Sequence, residues 1–153
     1  TVTGGKWTTY RAMADDVLTK CAQAGLLPGL GASATARHRL VGAPAPDAPT
    51  VRLSEPPGEH LYGQERAFVQ ALPGAERWIA PHLSEAMVRF AARYEYARTV
   101  EDVLARRNRL LFLDARAAAQ AASAVAAILQ DELGRTGDVD AFVELAAQYT
   151  QLP

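Results

Sequence analysis

The sequence predicts an all-α protein: a compact bundle of about six helices, preceded by an N-terminal arm and a Pro/Gly-rich connector. Three observations carry this expectation. From His60 onward apolar residues recur at helical spacing. Four residues suited to helix starts, Ser84, Thr99, Asp114 and Asp138, each precede such a stretch. Alanine is abundant and only 7% of residues are aromatic, a composition that favours helices.

Taken in order, Thr1-Val2-Thr3 alternates small and β-branched residues like the end of a strand. Gly4-Gly5 breaks the pattern, and Thr8 or Thr9 is placed to cap a helix. The stripe of that helix is Tyr10, Met13, Ala14, Val17, Leu18 and Cys21. Gly25 ends it and Pro28 prevents its resumption. Residues 26–59 show little periodicity. Seven of the nine prolines lie before Pro81, most of them in this segment, which reads as a connector between two units. The stretch 51–53 is the last with strand-like alternation.

The bundle spans 60–153. Leu61, Phe68, Val69 and Leu72 form the first face, closed by Pro73-Gly74. A short turn around Trp78-Ile79 follows. Ser84 opens a helix with the stripe Met87, Phe90, Ala91 and Tyr94. Thr99 opens another, with Asp102 three residues later as in a capping box and Val100, Val103, Leu104 and Leu111 inside. Asp114 starts a long alanine-rich helix with Ala121, Val125, Ile128, Leu129 and Leu133 on one side. Gly134 and Gly137 punctuate. Asp138 starts the last, with Phe142, Leu145, Ala146 and Tyr149 inside.

Composition excludes several classes. Sixteen basic residues against 17 acidic give no field suited to nucleic acid. The single cysteine permits no intramolecular disulfide and fits a reducing compartment; on its helical stripe Cys21 reads as a core residue. His38, His60 and His82 are scattered and no metal set is expected. No apolar run approaches the ~20 residues that span a bilayer. There is no signal-peptide pattern and no G-x-G-x-x-G. The chain opens in mid-pattern without Met, so the expectation is a piece of a longer protein.

Two clusters carry the candidate chemistry. A strand–Gly-Gly–helix start exposes backbone N–H groups and a positive dipole end, with Lys6 adding a mobile charge. It reads either as a cofactor or phosphate site or as an ordinary tight turn. In Arg106-Arg107-Asn108-Arg109, Arg107 falls near the buried stripe and needs a partner. Glu95 is the expected acceptor, through a bidentate side-chain pair between adjacent helices. Arg106 should pair with Asp102 one turn earlier. The alternative for these arginines is an anionic substrate or a partner protein.

GGKWTTYRAMADDVL resembles the last flavin-domain segment of the FAD-dependent glycerol-3-phosphate dehydrogenases. RTVEDVLARRNRLLFLDA, from Arg98 to Ala115, resembles the hallmark of that family's C-terminal helical domain. The two occur in the family's order, and Leu61 to Tyr96 is more weakly similar. The resemblance implies that 1–25 is the tail of the FAD-binding domain and 60–153 a helical cap. It implies FAD as the cofactor of the parent enzyme, lined by Gly4, Gly5, Trp7, Thr8 and Thr9, with Lys6 near the substrate phosphate. Trp7 departs from the pattern, where an aliphatic residue is commoner. The parent would oxidise glycerol 3-phosphate to dihydroxyacetone phosphate. The implied partners are the upstream FAD-binding and substrate domains, without which this chain alone should hold neither FAD nor substrate. Self-association and peripheral attachment at the inner face of a membrane are compatible with a cytoplasmic location. The rival reading is an independent helical interaction module without a cofactor.

Overall fold

The computed structural model describes the chain except residues 30, 50, 51, 53, 136, 137 and 151–153. The strand-like stretch 51–53 and Gly137 therefore lie, wholly or in part, outside the described residues. The chain divides into two compact units, Thr1–Leu40 and Val41–Pro153. Among the described residues the fold is all-α apart from one small hairpin.

In the first unit a single 3-10 turn, Trp7–Thr9, leads into α1, Tyr10–Gln23. Thr1–Thr3 do not form the expected strand. A strand needs a neighbour to receive its ladder bonds, and none is present among the described residues. Neither threonine caps α1 as expected; instead the Thr9 hydroxyl donates to the Lys6 carbonyl at 2.9 Å. The helix ends as read. Gly25, at φ +71°, donates to the Ala22 carbonyl, and Leu26 donates to that of Cys21. The α1 stripe is not buried: no α1 residue is, and Cys21 is half-exposed rather than a core residue.

The second unit begins inside the expected connector, since the Gly42 carbonyl accepts from Gln64 N–H at 3.3 Å. A 3-10 segment, Glu59–Glu65, is kinked at Gly63 and runs into α2, Arg66–Gln70. Strands β1, Trp78–Ala80, and β2, Leu83–Ser84, pair antiparallel where only a turn was expected. Segments of three and two residues are too short to show a period. Ser84 then caps α3, Glu85–Tyr94, accepting from Met87 N–H at 3.4 Å.

The Thr99–Asp102 box forms in both directions: Asp102 N–H donates to Thr99 Oγ1 and Thr99 N–H to Asp102 Oδ2. The single helix expected through Leu111 does not. Asp102–Arg107 is a π-turn, closed by Asn108 N–H on the Val103 carbonyl at 2.8 Å. Arg109, at φ +64°, then redirects the chain into the short α4, Leu110–Leu113. The wider turn lets two successive side chains reach carbonyls on different elements: Arg107 to Glu95 and Asn108 to His82.

Asp114 and Asp138 cap α5, Ala115–Leu133, and α6, Val139–Gln148, as read. The long α5 is central, packed against α3, α4, α6 and β1. Its buried alanines, Ala118, Ala121 and Ala122, allow close approach, while Val125, Ile128 and Leu129 fill the core with Val88, Phe90, Leu104 and Leu111. Phe90 meets Tyr62, Phe68 and Tyr94 edge-on or tilted. Some stripe residues expected inside are exposed: Leu61 at 65%, with Phe68, Tyr94 and Tyr149.

Candidate functional site

Around the glycine pair the backbone is extended up to Lys6 and then turns into the Trp7–Thr9 helix start. A groove of about 590 Å³ runs along this segment and the first turns of α1. Its walls include Val2, Gly4, Gly5, Lys6, Trp7, Tyr10 and Met13. Trp7 is 85% exposed and Tyr10 61%, and the two rings lie 6.0 Å apart. The glycines differ. A Cβ at Gly4 would come within 2.2 Å of Met13 Cε, whereas one at Gly5 would meet nothing within 4 Å. Gly5 thus leaves bare backbone facing open space. Helix-start N–H groups lack intrahelical acceptors, so this end of the segment offers donors and a positive dipole end. All six residues singled out here, Gly4, Gly5, Lys6, Trp7, Thr8 and Thr9, are consecutive, and four of them, Gly4, Gly5, Lys6 and Trp7, line the groove.

The arginine cluster divides by partner. Arg106 pairs with Asp102 at 2.9 Å, as read, and also with Glu101 at 2.6 Å. Burial alone would push the Asp102 carboxyl up. Donation from Arg98 and Thr99 N–H, with Arg106 nearby, holds it below the usual range instead. Arg107 and Glu95 do meet, but not through a side-chain ion pair. The Arg107 Nε, at 3.0 Å, and Nη2 both donate to the Glu95 backbone carbonyl. The end of α3 has carbonyls without intrahelical partners, and Glu95 is its C-cap residue, so the guanidinium fork closes the helix. Among the described residues the Glu95 carboxyl has no hydrogen-bond partner; it is pushed up by burial, with Arg107 opposing and Glu65 adding to the rise.

This geometry changes the outcome expected of a double-mutant cycle. Arg107→Met removes the fork and should destabilise the fold, whereas Glu95→Gln keeps the accepting carbonyl. Their effects on urea denaturation should therefore add to within about 0.5 kcal/mol. A coupling above about 1 kcal/mol would restore the side-chain pair.

A second charged network passed unnoticed in the sequence. Arg89, 13% exposed, donates to Glu85 at 2.6 Å, to Asp131 at 2.7 Å and to Glu132. Arg93 holds Glu132 at 2.6 Å, and Arg77 holds Glu85 at 2.7 Å. The pair Glu85–Arg89 has a readable four-residue spacing. The link to Glu132 spans 43 positions and leaves no sequence signal. No group of side chains able to hold a metal occurs among the described residues.

Comparison with known proteins gives the family. A family model described as the C-terminal domain of alpha-glycerophosphate oxidase matches residues 33–139. A mitochondrial glycerol-3-phosphate dehydrogenase of Arabidopsis thaliana is 32% identical over 162 aligned positions, covering 86% of this chain and 26% of the relative. That of Rattus norvegicus is 33% identical over 155 positions, covering 87% and 21%. That of Homo sapiens is 32% identical over 155 positions, again 87% and 21%. The chain thus spans about a quarter or less of the length of these relatives. No solved structure matches it. With well over half of its residues matched by the family model, the chain belongs to the family of the C-terminal domain of alpha-glycerophosphate oxidase.

Proposed function

We propose that this chain is the C-terminal part of an FAD-dependent glycerol-3-phosphate dehydrogenase. Residues 1–25 complete its flavin domain, 26–59 connect, and 60–153 form a helical cap. The observation that carries this reading is the family match over 33–139, extended by relatives named glycerol-3-phosphate dehydrogenase across most of the chain.

The N-terminal segment fits the role. Gly5 has open space before its backbone, and the groove's apolar wall, Trp7 and Tyr10, is exposed. Gly4, Gly5, Trp7, Thr8 and Thr9 would line FAD, with the α1 dipole favouring negative charge beside the helix start. Lys6 would hold the substrate phosphate. When bound, FAD supplies the two-electron acceptor for oxidation of sn-glycerol 3-phosphate to dihydroxyacetone phosphate, from which electrons pass to a quinone-type or other acceptor. The partners of this chain are then the FAD-binding and substrate-binding parts of the same enzyme.

No helix among the described residues is long and apolar enough to cross a membrane. The relatives are mitochondrial by name. Peripheral attachment at a membrane surface is the arrangement we favour, and the lone cysteine fits the cytoplasmic side.

The test uses the protein that carries this chain together with its upstream sequence. Purified, it should hold flavin and reduce a dye acceptor when glycerol 3-phosphate is added. Absence of both sinks the reading. In that protein Lys6→Ala should raise KM for glycerol 3-phosphate about 10- to 100-fold, the loss of one charge-assisted phosphate contact, with flavin content unchanged. An unchanged KM removes Lys6 from the substrate site.

A further inference from the structure

A pocket of about 200 Å³ lies within the second unit, between the segment 57–62, the end of α3 and the end of the π-turn. Leu61 and Met87 give it an apolar wall. Tyr62, Glu95, Arg107 and Asn108 bring four polar side chains to it. Among the described residues, neither the Tyr62 hydroxyl nor the Glu95 carboxylate has a hydrogen-bond or ion-pair partner. Neither is sealed away, because among the described residues no fully buried side-chain oxygen or nitrogen lacks a partner. Arg107 commits Nε and Nη2 to the Glu95 carbonyl and keeps Nη1. Asn108 gives Nδ2 to the His82 carbonyl and keeps its own oxygen. The pocket therefore presents acceptors and donors side by side, all on well-packed elements. Half-buried polar groups of this kind are costly unless something satisfies them.

We propose that this pocket binds a small neutral polyol of the glycerol class, whose vicinal hydroxyls donate to the Glu95 carboxylate and the Asn108 oxygen and accept from Tyr62 and Arg107 Nη1. Size and charge both select this class. At ~30 Å³ per water the space equals about seven waters, room for a three-carbon polyol but not for a nucleotide. One carboxylate balances one guanidinium, so the ligand need carry no charge. An anion is repelled, because Glu59 and Glu65 add negative potential at Tyr62 and Glu95. Each hydroxyl of such a ligand both donates and accepts, which matches the mixed lining. The inference rests on residues 57–108 and does not depend on the flavin assignment of the N-terminal segment.

The test is a titration of the nitrogen-15-labelled full chain with glycerol, followed by amide chemical shifts. Saturable shifts are expected at the Asn108 side-chain amide and at the backbone amides of Tyr62 and Glu95, with Kd on the order of 1–10 mM. Glu95→Gln should weaken binding about tenfold and Tyr62→Phe about threefold. Neither substitution removes a hydrogen bond described above. Propane-1,3-diol, which lacks the vicinal pair, should bind about tenfold more weakly to the unaltered chain. Glycerol 3-phosphate should not compete. Shifts that stay linear in glycerol and spread over the surface would overturn the proposal. So would a Kd unchanged in both variants, or equal affinity for the two polyols.

Discussion

Arg89→Met should cost about 3–5 kcal/mol of stability, since it strands charges that the fold has taken out of water. Three carboxylates converge on this guanidinium, and the side chains of Glu85 and Glu132 are only 6% and 7% exposed. The substitution keeps the apolar stem of the arginine and removes the guanidinium, so the loss reports chiefly the network. For a chain of this size the melting temperature should fall by roughly 8–15 °C. Removing an exposed partner such as Arg66, whose pair with Glu59 spans 3.4 Å, should change stability by less than about 0.5 kcal/mol.

The deficit should depend on pH in a defined direction. Glu132 is held below its ordinary value of 4.5, chiefly by hydrogen bonds from Arg93, against the opposing effect of burial and with help from Arg89. A carboxylate whose folded value is depressed adds stability that is present above the unfolded value and lost as pH falls through the folded one. The variant gives up part of that contribution. It should therefore trail the parent most at neutral pH, and the gap should narrow as pH drops below about 4.5. A gap constant from pH 7 to pH 3 would show that Glu132 does not draw on Arg89.

The parts of the fold that were legible in sequence share one cause: they are set by neighbours three or four residues away. The caps at Ser84, Asp114 and Asp138, the reciprocal Thr99–Asp102 box and the Gly25 terminus all have both partners within five positions. What escaped reading is set by distant groups. Arg107 was expected to pair with the Glu95 side chain, but its acceptor is the Glu95 backbone carbonyl, a group that every residue carries, so no side-chain pattern announces it. The π-turn depends on Arg107 and Asn108 reaching two other elements at once, which helical periodicity cannot encode. The N-terminal arm shows the converse. Its stripe predicted burial, and α1 buries none of it, because periodicity records that a face is apolar and not which surface covers it. The glycine pair, Lys6 and the threonines stand together as a motif in the sequence; Tyr62 was not singled out, since only folding brings it to the pocket that Glu95 also lines.

Gly74→Ala should be among the most damaging single substitutions of a surface turn, at about 3–4 kcal/mol, and its cost can be divided by comparison with Gly134→Ala. Both glycines lie in the left-handed region, at φ +81° and +66°. An alanine pays about 1 kcal/mol for that conformation at either site. At Gly134 nothing lies within 4 Å of the added Cβ, so backbone strain should be the whole effect. At Gly74 the new carbon would sit 2.6 Å from Cβ, Cγ and Cδ of Glu85. A flexible side chain could swing aside, but Glu85 is tied by its carboxylate to Arg77 and Arg89 and is 5% exposed. The backbone is fixed as well, since the Gly74 carbonyl accepts from Arg77 and Ala86 N–H. Relief therefore requires parting the same ion network that Arg89 centres. Two consequences follow from that shared route. The difference between the two glycine variants in urea denaturation should be about 2–3 kcal/mol, and Gly74→Ala combined with Arg89→Met should cost less than the sum of the two. Equal costs at Gly74 and Gly134 would mean that Glu85 is free to move. The network would then be a set of adaptable surface pairs, and the large loss expected of Arg89→Met would fall with it.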